Sequence, residues 1–169
     1  MNVPAELNVT CVDFLKDNPR HYARKAKRKK IVLIGVEAVS NHSGDLRLLL
    51  GASKLTAGGQ SYNVETPAVI HRKLSAFTWD FLLYLILDFH PVLAALDLFF
   101  LLTGPVYNWR LRRQLKLLSN GEMVLRPGES AKVVLGFRGV PKKPEELETM
   151  ELCYRRGDGE KQMLQCGIA

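Results

Sequence analysis

The side chains able to do chemistry are few and scattered. Histidines stand at positions 21, 42, 71 and 90, and no pair has the helix-face spacing of metal ligands. Asp88 and His90 within "DFHP" could serve as two ligands, but an acid and a Pro-preceding histidine are also what forms a corner between helices. The three cysteines, Cys11, Cys153 and Cys166, are odd in number and lack CxxC spacing. They read as packing residues rather than a zinc site or a disulfide framework, with a Cys153–Cys166 bridge left open. The chain has no GxSxG, P-loop or dinucleotide fingerprint, and the glycines of "GASKLTAGG" lack the strand-to-helix setting of a phosphate cradle. The expectation is a non-enzymatic protein, with no catalytic residue, metal, cofactor or small-molecule substrate.

What remains is charge and apolar surface. Residues 20–30, "RHYARKAKRKK", carry Arg20, Arg24, Lys25, Lys27, Arg28, Lys29 and Lys30 and no acid. Without these seven, the 24 basic residues fall to 17, equal to the 17 acidic ones. The net charge of +7 is therefore local and points to a local anionic partner. The second feature is "FLLYLILDFHPVLAALDLFFLL", residues 81–102. A mean hydropathy of −0.04 excludes a polytopic membrane protein, so any membrane contact must come from this one segment. The N-terminal "MNVPAELNVTCVDF" has no basic stretch leading into an apolar one, so it does not read as a secretory signal.

These features need elements to position them. A chain of 169 residues suits one domain with its own core. "LNVTCV" (7–12) reads as a short strand, and residues 20–28 as helical or disordered. "KIVLIGVEAVSN" (30–41) is apolar on nearly both faces, as a central strand is. "LRLLLGASKLT" (46–56) is a strand with a bend at Gly51, and "QSYNVE" (60–65) returns from it. Residues 71–120 lose the alternation and read as helices at about 73–88, 91–103 and 105–118, the last with a basic face of Arg110, Arg112, Arg113 and Lys116. "EMVLRPGESAKVVLGF" (122–137) is strand, type II turn and strand, with Pro127 presetting φ and Gly128 accepting a positive one. "TMELCYRRGDGEKQMLQC" (149–166) is a hairpin with Met150, Leu152 and Tyr154 inward. The sum is a mainly β chain: an antiparallel β-sandwich of seven or eight strands, with a helical hairpin at about 73–118 inserted near its middle.

With these elements in place, "IVLIGVEAVSNHSGDLRL", "LTAGGQSYNV" and "LRPGESAKVVLGF" together resemble immunoglobulin-like bacterial β-sandwiches of the DUF4352 kind. The resemblance covers about 100 residues. It implies an immunoglobulin-like fold and a binding or structural role, and it brings no catalytic residues. Some relatives carry a hydrophobic helical hairpin at this position. Theirs is often Gly-rich, whereas here no glycine occurs between residues 59 and 104.

A single membrane span would separate strands 30–65 from strands 122–166, and neither half can close a sandwich alone. A hairpin returns to the side it left. No Lys or Arg occurs from residue 74 to 109, and Trp79 and Trp109 stand near the two ends with basic residues beyond them. Indoles and cations at both ends of the hairpin suit one membrane interface. Arms of 13–16 residues are roughly 20–24 Å long as helix, which enters a bilayer without crossing it. Leu82, Leu83, Leu85, Ile86, Leu87, Phe99, Phe100, Leu101 and Leu102 would do the inserting, and the basic run would add anionic lipid attraction.

The competing occupant is protein. Apolar runs of 10–14 residues also serve as core or interface helices, and Asp80, Asp88 and Asp97 would then point to solvent or pair with the local arginines. A soluble homo-oligomer assembled through its hairpins is thus the alternative. Nucleic-acid binding through residues 20–30 is disfavoured, with Tyr22 the one aromatic beside the charges. The expected location is a membrane surface: the cytoplasmic face, or the cell envelope for a trimmed chain.

Overall fold

A computed structural model describes residues 6–17, 22–76, 91–140 and 147–168, with side chains from 91 to 101 described at Phe99 alone. The chain is mainly β, built of antiparallel sheets with a few helices. It divides into two units, residues 1–70 with 117–169 and residues 71–116.

The first unit holds nine strands among the described residues. They are β1 (Leu7–Asp13), β2 (Ile31–Ser40), β3 (Leu46–Leu49), β4 (Lys54–Ala57), β5 (Gln60–Asn63), β6 (Glu122–Leu125), β7 (Ser130–Arg138), β8 (Leu147–Arg156) and β9 (Lys161–Gly167). One sheet runs β1-β2-β7, with β2 central as its two-sided apolar pattern requires. In the other, β8 pairs with β9 on one side and with both β4 and β3 on the opposite side, while β5 and β6 extend outward from β4 and β3. Both sheets feed one core: Ile34, Val36, Leu135 and Phe137 from the first, and Leu46, Leu48, Leu55, Met150 and Leu152 from the second.

One local result differs from the sequence pattern. Residues 46–56 are not one bent strand. β3 and β4 pair with successive stretches of β8, and a 3-10 turn at Leu50–Ala52 interrupts them. Gly51 sits in that turn because a Cβ there would lie 2.8 Å from the Asn120 carbonyl oxygen. Ser53, fully buried, repairs the interrupted ladder. Its hydroxyl donates to the Leu49 carbonyl at 3.4 Å and accepts the Cys153 N–H at 3.1 Å. Ser53→Ala is expected to leave that buried N–H unpaired and to lower stability by about 1–3 kcal/mol in urea unfolding.

Cys153 cannot bridge to Cys166. Cys153 lies opposite Met163 and Cys166 opposite Met150 in the β8–β9 ladder. Odd and even positions of β8 face opposite sides of the sheet, so the two thiols point away from each other.

The basic run is helical over residues 23–28 and turns at Lys29 and Lys30. After a short helix α1 (Phe14–Asp17), α2 spans Ala23–Arg28. Both helices pack on β2, and Tyr22 and Ala26 are buried. The turn predicted at Pro127-Gly128 is present. Gly128 has φ +74°, and the Glu129 N–H closes on the Arg126 carbonyl at 3.0 Å. The Glu129 carboxylate accepts the Arg126 N–H at 2.9 Å, which explains the glutamate after Pro-Gly.

Candidate functional site

The segment that interrupts the β pattern leaves and rejoins the first unit on one strand. The Glu65 N–H donates to the Gly136 carbonyl at 2.8 Å, and Val64 bridges Phe137. On the return, the Val134 N–H donates to the Leu117 carbonyl at 2.9 Å and the Ser119 N–H to the Val134 carbonyl at 3.1 Å. β7 would otherwise be the free edge of its sheet, and both connectors satisfy its backbone groups. Gly136 admits this approach: a Cβ there would lie 2.8 Å from Ile70 Cγ1.

In the second unit, the helical region does not follow the predicted divisions. Helix α3 covers Pro67–Leu74, beginning in the first unit and six residues earlier than expected. Thr66 accepts the Val69 N–H on its hydroxyl at 3.4 Å, and Pro67 occupies the first helical position, where its missing N–H costs nothing. Helix α4 runs unbroken over Pro91–Gln114 with Pro105 inside it. The expected break at Gly104-Pro105 is absent, because a proline removes one hydrogen bond and bends a helix without having to end it. The Thr103 hydroxyl donates to the Phe99 carbonyl at 2.9 Å in that turn. The two helices hold each other by polar contacts: the Tyr107 hydroxyl donates to the Leu74 carbonyl at 3.3 Å, and Asn108 Oδ1 accepts the Ala76 N–H at 2.9 Å.

Helix α4 has two unlike faces. Gly104 and Leu111 are buried. Phe99, Leu102, Val106 and Trp109 are 59%, 66%, 50% and 61% exposed. At about 100° per residue those four fall within roughly 80° of one another, on the side opposite Gly104 and Leu111. A helix whose buried side is satisfied and whose opposite side is also apolar has a second surface to cover. The stripe ends in charge: the Arg113 guanidinium lies 5.7 Å from the centre of the Trp109 ring, a cation–π stack. Arg110, Arg112 and Lys116 are exposed nearby in sequence.

Of the inserting and interface-marking residues predicted from sequence, Phe99, Leu102 and Trp109 lie on one exposed face. Phe100 and Leu101 belong to α4, but their side chains lie outside the described set. Trp79, Leu82, Leu83, Leu85, Ile86 and Leu87 lie outside the described residues, as do Asp88 and His90. Val106 and Arg113 were missed as members of the stripe. A helix placed across Pro105 would have found them at spacings of three and four from Phe99 through Leu102, Val106 and Trp109 to Arg113. Among the described residues, no helix is long and apolar enough to cross a membrane.

The charged candidates gather on α2 and the turn that follows it in the first unit. Arg24, Lys27, Arg28, Lys29 and Lys30 are exposed and Lys25 is half-buried; Arg20 lies outside the described residues. Partial burial, then the charges of Arg28 and Lys29, hold the Lys25 ammonium below its ordinary pKa, as expected where cations crowd together.

His71 is the titratable group of interest in the second unit. Burial, reinforced by Arg112, lowers its pKa below the ordinary 6.5, and its buried Nδ1 has no hydrogen-bond partner among the described residues. The unfolded chain thus takes up this proton before the folded one does. The contribution to stability is present above about pH 6.5 and is lost as pH falls through the lower folded value. Between pH 7.5 and 5, wild type is expected to lose more unfolding free energy than His71→Gln, as measured by urea titration at both pH values.

A cleft of about 380 Å³ in the first unit is lined by Gly51, Asn120, Glu122, Arg155 and Lys161 among others, with Arg155 paired to Glu122 at 3.9 Å. Among the described residues, no group of three His, Cys, Asp or Glu side chains could hold a metal ion. Comparisons with protein-family models, with curated proteins and with solved structures each found no match to this chain.

Proposed function

We propose that this chain is a non-enzymatic, immunoglobulin-like β-sandwich that docks on an anionic membrane surface. The observation that carries the proposal is the exposed stripe Phe99, Leu102, Val106 and Trp109, ending in the Trp109–Arg113 stack. An apolar side chain is driven from water into hydrocarbon, an indole prefers the headgroup level, and an arginine there reaches phosphate. Phe99 and Trp109 are about 15 Å apart along the helix axis, which suits insertion into one leaflet. The cations of α2 would add long-range attraction, worth about 1 kcal/mol each near an anionic surface.

The strand order supports the immunoglobulin-like part of the reading. β1-β2-β7 faces the sheet of β9, β8, β3, β4, β5 and β6, and successive connections β2–β3, β6–β7 and β7–β8 cross between the sheets. The insertion falls between β5 and β6, the position the DUF4352-like resemblance implies for a hydrophobic hairpin. Such a module would work as a membrane-associated binding or structural part.

Co-sedimentation with vesicles tests the proposal. Binding is expected to vesicles containing phosphatidylserine and to weaken with neutral lipid. Replacing Lys27, Arg28 and Lys29 by alanine is expected to weaken it roughly 10- to 100-fold at low ionic strength, and about 0.5 M salt to remove most of that difference. A protein that stays in the supernatant with anionic vesicles, and is monodisperse without detergent, would end the membrane reading.

A second reading has its own observation. Positions 99, 102, 106, 109 and 113 alternate spacings of three and four, the seam of a two-helix coiled coil. A second copy of α4 would cover it. Light scattering separates the two, because a defined oligomer without lipid or detergent favours the protein partner.

A further inference from the structure

We propose that Cys11 and Cys166 are a disulfide-forming pair that fastens β1 to β9, oxidised by a small-molecule disulfide. β1 and β9 are edge strands of different sheets. Among the described residues, one parallel bridge joins them, between Cys11 and Ile168. Cys166 precedes Ile168 by two residues, so strand alternation puts both on one side. The Cys166 thiol is 3.5 Å from the Val9 carbonyl oxygen on β1. Cys166 also lies opposite Met150, and Met150 Sδ is 3.9 Å from Cys11 Sγ. The two thiols therefore converge on one thioether from strands of different sheets.

The environment favours a neutral product. Burial first, and then the Cys166 thiol beside it, push the Cys11 thiol well above its ordinary pKa. A buried thiolate is disfavoured there, whereas a cystine carries no charge and packs as an apolar group. Oxidation begins at Cys166, which is partly exposed, since Cys11 is buried. The Cys166 thiolate attacks a disulfide such as oxidised glutathione and releases one glutathione thiol. Cys11 then gives up its proton and attacks the Cys166 sulfur, displacing the second. Two protein thiols lose two electrons and two protons, and one glutathione disulfide becomes two thiols. The parallel bridge sets Cys166 opposite Val9, two residues from Cys11, so closing the bond needs the backbone of β1 and β9 to adjust at that single bridge.

The bond would close a loop spanning most of the chain, from position 11 to position 166. It ties both edges together where backbone pairing is thinnest. Cys153 takes no part, since it faces away from Cys166 across the β8–β9 ladder.

The test is equilibration of the full chain in glutathione buffers from reduced to oxidised, followed by acid quenching, alkylation and peptide mass analysis. The expected result is a peptide pair linked through Cys11 and Cys166, with three alkylatable thiols falling to one and reduction reversing the change. Cys153→Ser should form the same link. The oxidised protein should melt roughly 5–10 °C above the reduced one, a gain absent in Cys166→Ser. Both thiols remaining free at the oxidised limit, a link through Cys153, or arrest at a glutathione adduct on Cys166 would each overturn the pairing.

Discussion

Leu102→Asp combined with Val106→Asp is expected to reduce binding to anionic vesicles by at least about 100-fold while leaving the fold intact. Each replacement removes an exposed apolar side chain from the α4 stripe and so forfeits up to about 1.5–3 kcal/mol of transfer free energy. Each also brings a carboxylate to a hydrocarbon surface, at a cost of up to about 2.5–3.5 kcal/mol near the bilayer centre and less toward the interface. Even half of the combined cost exceeds the roughly 2.7 kcal/mol that corresponds to 100-fold. Both positions are at least half exposed, so the unfolding free energy from the urea transition should stay within about 0.5 kcal/mol of wild type. That separation gives the experiment its meaning: lost binding with an unchanged midpoint belongs to the surface, whereas unchanged binding removes the stripe from the docking role. If a second copy covers the stripe instead, the same variant turns a lipid-free oligomer into a monomer.

Phe137→Ala is expected to cost about 3–5 kcal/mol of stability, enough to unfold much of a marginal domain. Phe137 is fully buried in the core that the two sheets share. It pairs with Val32 on β2 and bridges Val64 on the chain that leads into the insertion. Truncation leaves a cavity beside the strand that anchors both connectors. Loss of cooperativity in the thermal transition should therefore accompany the drop in midpoint, read by near-ultraviolet circular dichroism. A change below about 1 kcal/mol would mean that the core closes over the missing ring.

Strand identity was legible in the sequence because β propensity and alternation are local. "KIVLIGVEAVSN" announces a central strand by having no polar face, and β2 lies between β1 and β7 as that pattern asks. Pro127 and Gly128 specify their turn through φ alone. The bend at Gly51 was visible too, but its consequence was not. That β3 and β4 share one side of β8 depends on Ser53 reaching Cys153, residues one hundred apart in sequence. The break expected at Gly104-Pro105 came from weighing local propensity alone, and α4 runs through it.

What the sequence determined by itself is the set of local preferences: which segments are strands, where the chain turns, that seven positive charges are concentrated in residues 20–30, and that residues 71–120 abandon the β pattern. What only the tertiary structure decided is which residues meet. The return of both connectors to β7, the convergence of Cys11, Cys166 and Met150, and the gathering of Phe99, Leu102, Val106 and Trp109 on the uncovered side of α4 are of this kind. The physical reason is range: backbone dihedrals and side-chain alternation are set within a few residues, whereas a surface is apolar and exposed only relative to what the rest of the chain has buried.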